Sequence, residues 1–177
     1  MLRLALHNII KGHTVLPYSS STTNDTVDAL AVLDQDPLNT NNVILIYSRR
    51  SDPKTSFNIS GGWNREHLWP DSYGIDGHVP MYSDLHNLRP ADINVNSARG
   101  NKFYDVSATN DAGYQNPGFI EAPLTTRDSD SWEPPPAVRG DIARAMFYMD
   151  VRYAGSEGTE LDFILTDSTA SIDSART

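Results

Sequence analysis

The chain has 177 residues, with 23 Asp and Glu against 14 Lys and Arg for a formal charge of −9, and 38% of its residues are hydrophobic. That is long enough for one domain with a buried core, too apolar for a disordered chain, and too acidic to hold phosphate backbones by bulk charge. The absence of cysteine excludes disulfides, cysteine-ligated zinc, iron–sulfur clusters and thiol nucleophiles, and leaves Asp, Glu, His, Asn and backbone oxygen as ligands for any metal.

The charge is uneven. Residues 1–60 carry 5 acids and 5 bases, residues 61–105 carry 6 and 4, and residues 106–177 carry 12 and 5. A nucleic-acid reading must therefore rest on a local site. No apolar run approaches the ~20 residues of a membrane span, so no membrane partner is expected. No basic segment followed by an apolar one reads as a signal peptide. The helical pattern starts almost at Met1, which leaves room for an upstream segment.

In chain order, residues 2–11 read as an amphipathic helix with Leu2, Leu6, Ile9 and Ile10 on its inner stripe and Gly12 as the stop. Thr26 to Leu33 is a second helix with Val27, Leu30 and Ala31 inward. The apolar run Val43 to Tyr47 is a buried strand. Trp63 to Leu68 is a strand ending before Pro70, Asp71 to Ser83 a loop, and Leu85 to Leu88 a strand stopped by Pro90. Asp92 to Arg99 is a helix, although Asn94, Asn96 and Ser97 are weak helix formers. Residues 106–137 read as loop. Val138 to Tyr153 is the strongest helix, with Ile142, Ala145, Met146, Met149 and Tyr153 inward. Glu160 to Leu165 is a final strand, and residues 168–177 form a polar tail. The fold class is α+β, mixed helices and short strands in a single domain over residues 1–177.

Chemistry concentrates in two clusters. One is Asn64-Arg65-Glu66-His67-Leu68-Trp69-Pro70; the other is Asp84-Leu85-His86-Asn87-Leu88-Arg89-Pro90 continuing to Asn94-Val95-Asn96-Ser97-Ala98-Arg99-Gly100-Asn101. Glu66 and His67 are adjacent, so on a strand they point to opposite faces and cannot both ligate one ion without a bend. A carboxylate that reaches a metal while the next imidazole reaches a water beside it is a workable hydrolytic pair. Arg99 lies three residues after Asn96, so one helix face carries both.

These motifs, in this order, resemble the endonuclease I family of non-specific, often secreted bacterial nucleases built on the ββα-metal (His-Me finger) motif. The flanks match as well: Leu6-His7-Asn8-Ile9-Ile10-Lys11-Gly12-His13, then Glu133-Pro134-Pro135 and Arg139-Gly140-Asp141-Ile142-Ala143-Arg144-Ala145. The resemblance runs from about the first residue to Tyr153 and implies a ββα core at about residues 61–103. It implies His67 as general base, and Glu66 and Asn96 as the protein ligands of one Mg²⁺, for which Mn²⁺ or Ca²⁺ are candidate substitutes. It further implies a 5′-phosphate on the product, DNA as substrate with RNA as a further candidate, a monomer, and secretion. The free ring nitrogen of His67 should be set by a backbone carbonyl on a neighbouring strand, near Tyr82 to Asp84. Some members hold the cleaved phosphate with an arginine from the loop after the base. Here that loop has no Arg or Lys, so Arg99, then Arg65, then Arg144 are the substitutes. Asp84, His86 and Asn87 are expected to support the site or the substrate, more by structural hydrogen bonding than by direct chemistry.

Two rivals stand beside this reading: a catalytically silent nucleic-acid-binding module of the same fold, and a zinc or calcium hydrolase of a non-nucleotide ester. His67, His78 and His86 match no zinc spacing, and Trp63, Trp69 and Trp132 suit a core better than a stacking platform.

Overall fold

The structure is a computed structural model and describes residues 2–155 and 162–166. Helix α1 spans Leu2–Ile10 and α2 Thr26–Leu33; strands β1 (Gln35–Asp36), β2 (Asn39–Ile44) and β3 (Ser51–Pro53) follow as an antiparallel sheet in the order β1-β2-β3. Next come β4 (Trp63–His67), β5 (Leu88–Asp92) and α3 (Ile93–Arg99). Strands β6 (Phe103–Tyr104), β7 (Thr126–Arg127) and β8 (Ser131–Glu133) form a small mixed sheet, and α4 covers Arg139–Arg152. The α+β class is as expected. The main core gathers Tyr47, Leu68, Val95, Trp132, Ile142 and Ala145, so α3, α4 and the ends of β4 and β8 share one apolar interior.

The centre of interest is the antiparallel pair β4–β5, which runs from Trp63 opposite Asp92 to His67 opposite Leu88. Pro90 was expected to stop a strand, yet it sits inside β5. Its carbonyl accepts from Ile46 N at 2.8 Å, so the edge of residue 90 faces away from β4 and its missing N–H costs the ladder nothing. Of the expected strand at Leu85–Leu88 only Leu88 is strand, as the first residue of β5; residues 85–87 are a turn that leads into it. Asp92 caps α3 directly after the strand, accepting from Asn94 N at 2.8 Å and Val95 N at 3.2 Å. That cap and the buried Val95 offset the weak helix propensity of the Asn residues.

Other expectations shift. The run 43–47 is strand only to Ile44; Leu45, Ile46 and Tyr47 are buried in a turn that follows. Helix α2 matches its expected bounds. Residues 106–137 contain β7, β8 and the start of a short turn of helix at Pro136–Val138. The inner stripe of α4 is as expected: Ile142, Ala145, Met149 and Tyr153 are buried, and Met146 is partly so.

The apolar stripe of α1 is not a core face, because Leu2 is 72% and Ile9 77% exposed. This helix docks through polar groups. His7 is its buried residue, with Nδ1 3.1 Å from Val151 O and 2.9 Å from Arg152 O, and Arg3 reaches Asp150 O at 2.7 Å and Phe163 O at 2.9 Å. The contacts to residues 150–152 satisfy carbonyls at the C-terminal end of α4 that the helix itself leaves unpaired. Of the expected strand Glu160–Leu165, the first two residues lie outside the described residues; Asp162 makes an isolated bridge to Ala154 and the rest is not strand. The polar tail 168–177 also lies outside them.

Candidate active site

Strand alternation sorts the residues of β4. Arg65 and His67 face one side, where Tyr18 and Tyr82 lie; Asn64 and Glu66 face the other, where α3 crosses. The carbonyls of Arg65 and His67 belong to the edge of β4 that β5 does not pair, so they need donors from elsewhere. Helix α3 supplies them. Asn96 Nδ2 donates to Arg65 O at 3.1 Å and to Asn64 Oδ1 at 2.8 Å. Arg99, one turn on, donates from Nη1 to His67 O at 3.0 Å and from Nη2 to Leu68 O at 2.9 Å. The three-residue spacing thus reaches along β4: Asn96 engages Asn64 and Arg65, and Arg99 engages Glu66, His67 and Leu68.

Glu66 is only 2% exposed. Its Oε1 accepts from Tyr47 Oη at 2.6 Å and from Arg99 Nη1 at 2.9 Å, the second contact being an ion pair. Tyr104 Oη lies against Tyr47 Oη, and the Arg99 guanidinium sits 4.6 Å from the Tyr104 ring centroid. Burial pushes the Glu66 carboxyl up, while Arg99 and the Tyr47 hydroxyl work against that. The second oxygen, Oε2, takes no hydrogen bond and is not among the sealed, partnerless atoms. The same holds for Asn96 Oδ1, since both amide bonds of Asn96 use Nδ2. A carboxylate oxygen and an amide oxygen, both uncommitted, form a donor set that suits a hard cation such as Mg²⁺ or Ca²⁺. Among the described residues no three His, Asp or Glu side chains group as a metal site.

His67 is half-buried at the end of β4. Its Nε2 lies 2.9 Å from Tyr82 O, so Nε2 carries the proton and Nδ1 is left as the basic nitrogen. The carbonyl is one of those expected, but it belongs to a single helical turn, Met81–Ser83, and not to a strand. Desolvation pulls the imidazole below its ordinary range, and the bond to Tyr82 O opposes it. The Tyr82 ring stacks at 4.8 Å, and Tyr18 lies 4.0 Å from Tyr82.

The arginines are placed differently from expectation. Arg99 is 1% exposed and its two Nη atoms are spent on Glu66, His67 O and Leu68 O. A guanidinium so enclosed cannot also grip a phosphate, which corrects the first choice of phosphate ligand. Arg65 holds the segment before α2: it lies over the Tyr18 ring at 3.4 Å, donates to Thr26 Oγ1 at 2.9 Å and to Ser19 Oγ at 3.2 Å, and also bonds Tyr18 O. Arg144, with a side chain 73% exposed, pairs with Asp141 on α4 and is not brought to Glu66, His67 or Asn96.

Asp84, His86 and Asn87 brace the strands. Asn87 is fully buried; its Oδ1 accepts from Trp69 N at 2.6 Å and its Nδ2 donates to Trp69 O at 3.1 Å, which extends the β4–β5 pairing past His67. Asp84 Oδ2 accepts from Tyr153 Oη at 2.7 Å and Tyr148 Oη at 3.0 Å, tying this turn to α4. Its Oδ1 accepts from His86 N at 2.9 Å, and the exposed His86 ring stacks on Tyr148 at 4.0 Å. Sequence reasoning missed the side chains of Tyr47, Tyr104 and Tyr18, and the ring of Tyr82. For Tyr47 a signal existed: a tyrosine closing a buried apolar run must place its hydroxyl on a polar partner.

The profile of the endonuclease I family matches residues 1–171. The chain is 45% identical over 173 residues to the "Extracellular ribonuclease" of Bacillus subtilis (strain 168), and 46% identical over 170 residues to the "Extracellular ribonuclease" of Bacillus amyloliquefaciens. Each match covers 95% of this chain and 54% of the relative, so the chain spans about half the length of the curated relatives it matches. On its sequence motifs and this profile, the chain belongs to the endonuclease I family.

Proposed function

We propose that the chain is a metal-dependent, sequence-non-specific endonuclease that hydrolyses phosphodiester bonds and leaves 5′-phosphate ends. On this reading β4, β5 and α3 are its ββα-metal motif. The observation that carries it is the presence of two uncommitted oxygens, Glu66 Oε2 on β4 and Asn96 Oδ1 on the helix α3 that bonds to β4, with His67 next to Glu66 in the chain and its Nε2 already occupied. Glu66 and Asn96 would hold one Mg²⁺, with Mn²⁺ or Ca²⁺ as substitutes. When bound, the ion neutralises charge on the scissile phosphate and its leaving 3′-oxygen.

His67 removes a proton from the attacking water at Nδ1. Tyr82 O holds the tautomer in which that nitrogen is free, and the flanking rings limit the imidazole to one plane. Arg99 acts on Glu66 and on the backbone of β4 and does not touch substrate. On this reading contact is with phosphate and sugar, and sequence is not read. The name carried by both relatives favours RNA as a substrate beside DNA, and secretion as the setting. With a net charge of −9, phosphate contacts are few and binding is weakened by salt.

The test is digestion of supercoiled plasmid and of single-stranded RNA with Mg²⁺, with and without EDTA. Cleavage of RNA, DNA or both, abolished by EDTA and yielding ends that a 5′-phosphate-dependent exonuclease degrades, is the expected outcome. Binding without cleavage would favour the silent module. Cleavage that survives EDTA would remove the metal from the reaction.

A further inference from the structure

Resting on the reading of Glu66 as a metal ligand, we propose that Tyr47, backed by Tyr104, makes Glu66 a one-oxygen ligand and thereby sets the preference of the site for Mg²⁺ and Mn²⁺ over Ca²⁺. The two oxygens of Glu66 are not equivalent. Oε1 takes two charge-assisted hydrogen bonds, from Tyr47 Oη at 2.6 Å and Arg99 Nη1 at 2.9 Å; Oε2 takes none. An ionised carboxylate cannot donate, so the Tyr47 proton goes to Glu66, and the bond between the two phenols must then be donated by Tyr104. The chain Tyr104 to Tyr47 to Glu66 therefore runs in one direction, and every donor in it is used.

The surroundings keep it so. Tyr47 is buried, with its ring edge-on to Trp132 at 5.5 Å, and Arg99 is locked to the carbonyls of His67 and Leu68. Rotating Glu66 to offer both oxygens to one ion would strand the buried Tyr47 hydroxyl and take the carboxylate from the buried Arg99, leaving it only the carbonyls of His67 and Leu68. A buried donor left without its acceptor disfavours that rotation. Ca²⁺ gains from bidentate carboxylates and from 6–8 flexible oxygens, whereas Mg²⁺ takes single oxygens in a tight octahedron and keeps its waters. A carboxylate with one oxygen tied down favours the smaller ion. Tyr47 is thus a positioning residue that acts through Glu66.

The experiment is direct metal binding, without turnover: Mn²⁺ titration followed by electron paramagnetic resonance, with Mg²⁺ and Ca²⁺ as competitors, on wild type, Glu66→Gln and Tyr47→Phe. Tyr47→Phe should bind Mg²⁺ about five- to tenfold more weakly, roughly the net worth of one ordinary hydrogen bond, while its Ca²⁺ affinity holds or rises. An unchanged ratio of Ca²⁺ to Mg²⁺ affinity in a folded Tyr47→Phe protein overturns the proposal. Wild type that binds no Mn²⁺, or Glu66→Gln that binds it normally, overturns instead the ligand assignment on which it rests. Infrared difference spectra of the wild type on Mg²⁺ loading, with Glu66→Gln used to assign the band, need no Tyr47 variant. The splitting of the carboxylate stretches should widen as for a one-oxygen ligand, and a narrowed splitting would overturn the proposal.

Discussion

Arg99 Nη1 lies 2.9 Å from Glu66 Oε1, with the two side chains only 1% and 3% exposed. Taking two charges out of water is costly, and the pair persists because the guanidinium also satisfies two backbone carbonyls and lies on the Tyr104 ring. Removing one partner leaves the other uncompensated. Arg99→Ala should therefore lose about 3–5 kcal/mol in urea denaturation, and Glu66→Gln in the same background should recover part of it. An arginine whose task is to grip a phosphate would lose activity and little stability. A loss under about 1 kcal/mol would return Arg99 to the substrate.

Asn87 clamps both backbone groups of Trp69 from a fully buried position. Asn87→Ala leaves an N–H and a C=O without partners and should cost about 2–4 kcal/mol, since each buried orphan costs about 1–3 kcal/mol. The concentration of Mg²⁺ giving half-maximal cleavage should stay within about twofold of wild type. A large change in that concentration at unchanged stability would place Asn87 in the chemistry.

These two sites show what the sequence could and could not convey. The motif residues lie within two short stretches, and the alternation of β4 with the three-residue step of α3 placed Glu66, His67, Asn96 and Arg99 on the correct faces. Periodicity does not say what covers a face. The apolar stripe of α1 has the spacing of a core helix, yet Leu2 and Ile9 are exposed because the helix docks through His7 and Arg3 instead. Likewise Arg99 looked free to reach substrate because its enclosing groups, Tyr47 and Tyr104, come from segments remote from it or from each other in the chain. Pro90 was misread for a related reason: whether a proline interrupts a strand depends on which edge carries the ladder.

Asp84 supplies a test in pH. Burial alone would push its carboxyl up; the bonds from His86 and Tyr153 outweigh that and hold it below the ordinary range. A folded pKa lower than the unfolded one stabilises the protein above the unfolded value, near 3.9, and the benefit fades as pH falls through the folded value. Asp84→Asn should be less stable than wild type by about 1–3 kcal/mol at pH 7. The gap should shrink below about pH 4. Denaturant midpoints of both proteins across pH 2.5–7 read this directly, and a gap that stayed constant would show that the charge on Asp84 is not what ties the turn to α4.

On the proposed mechanism His67 separates base catalysis from metal holding, because its two nitrogens would have distinct tasks. Nε2 is committed to Tyr82 O at 2.9 Å, so the only nitrogen available to a water proton is Nδ1. His67→Ala removes the base without touching Glu66 or Asn96 and should cut the cleavage rate at least ~10²-fold. Its Mn²⁺ affinity should remain within about threefold of wild type, because neither proposed ligand is altered. His67→Gln offers a sharper comparison. Its amide can still donate to Tyr82 O and preserve the fold, but it cannot take up a proton at neutral pH. Rates of plasmid nicking and RNA cleavage should therefore be as low in His67→Gln as in His67→Ala, even though the glutamine variant matches wild type in thermal stability. Activity restored by glutamine would mean that this position orients the substrate or a water by hydrogen bonding, and the proton would have to leave by another group.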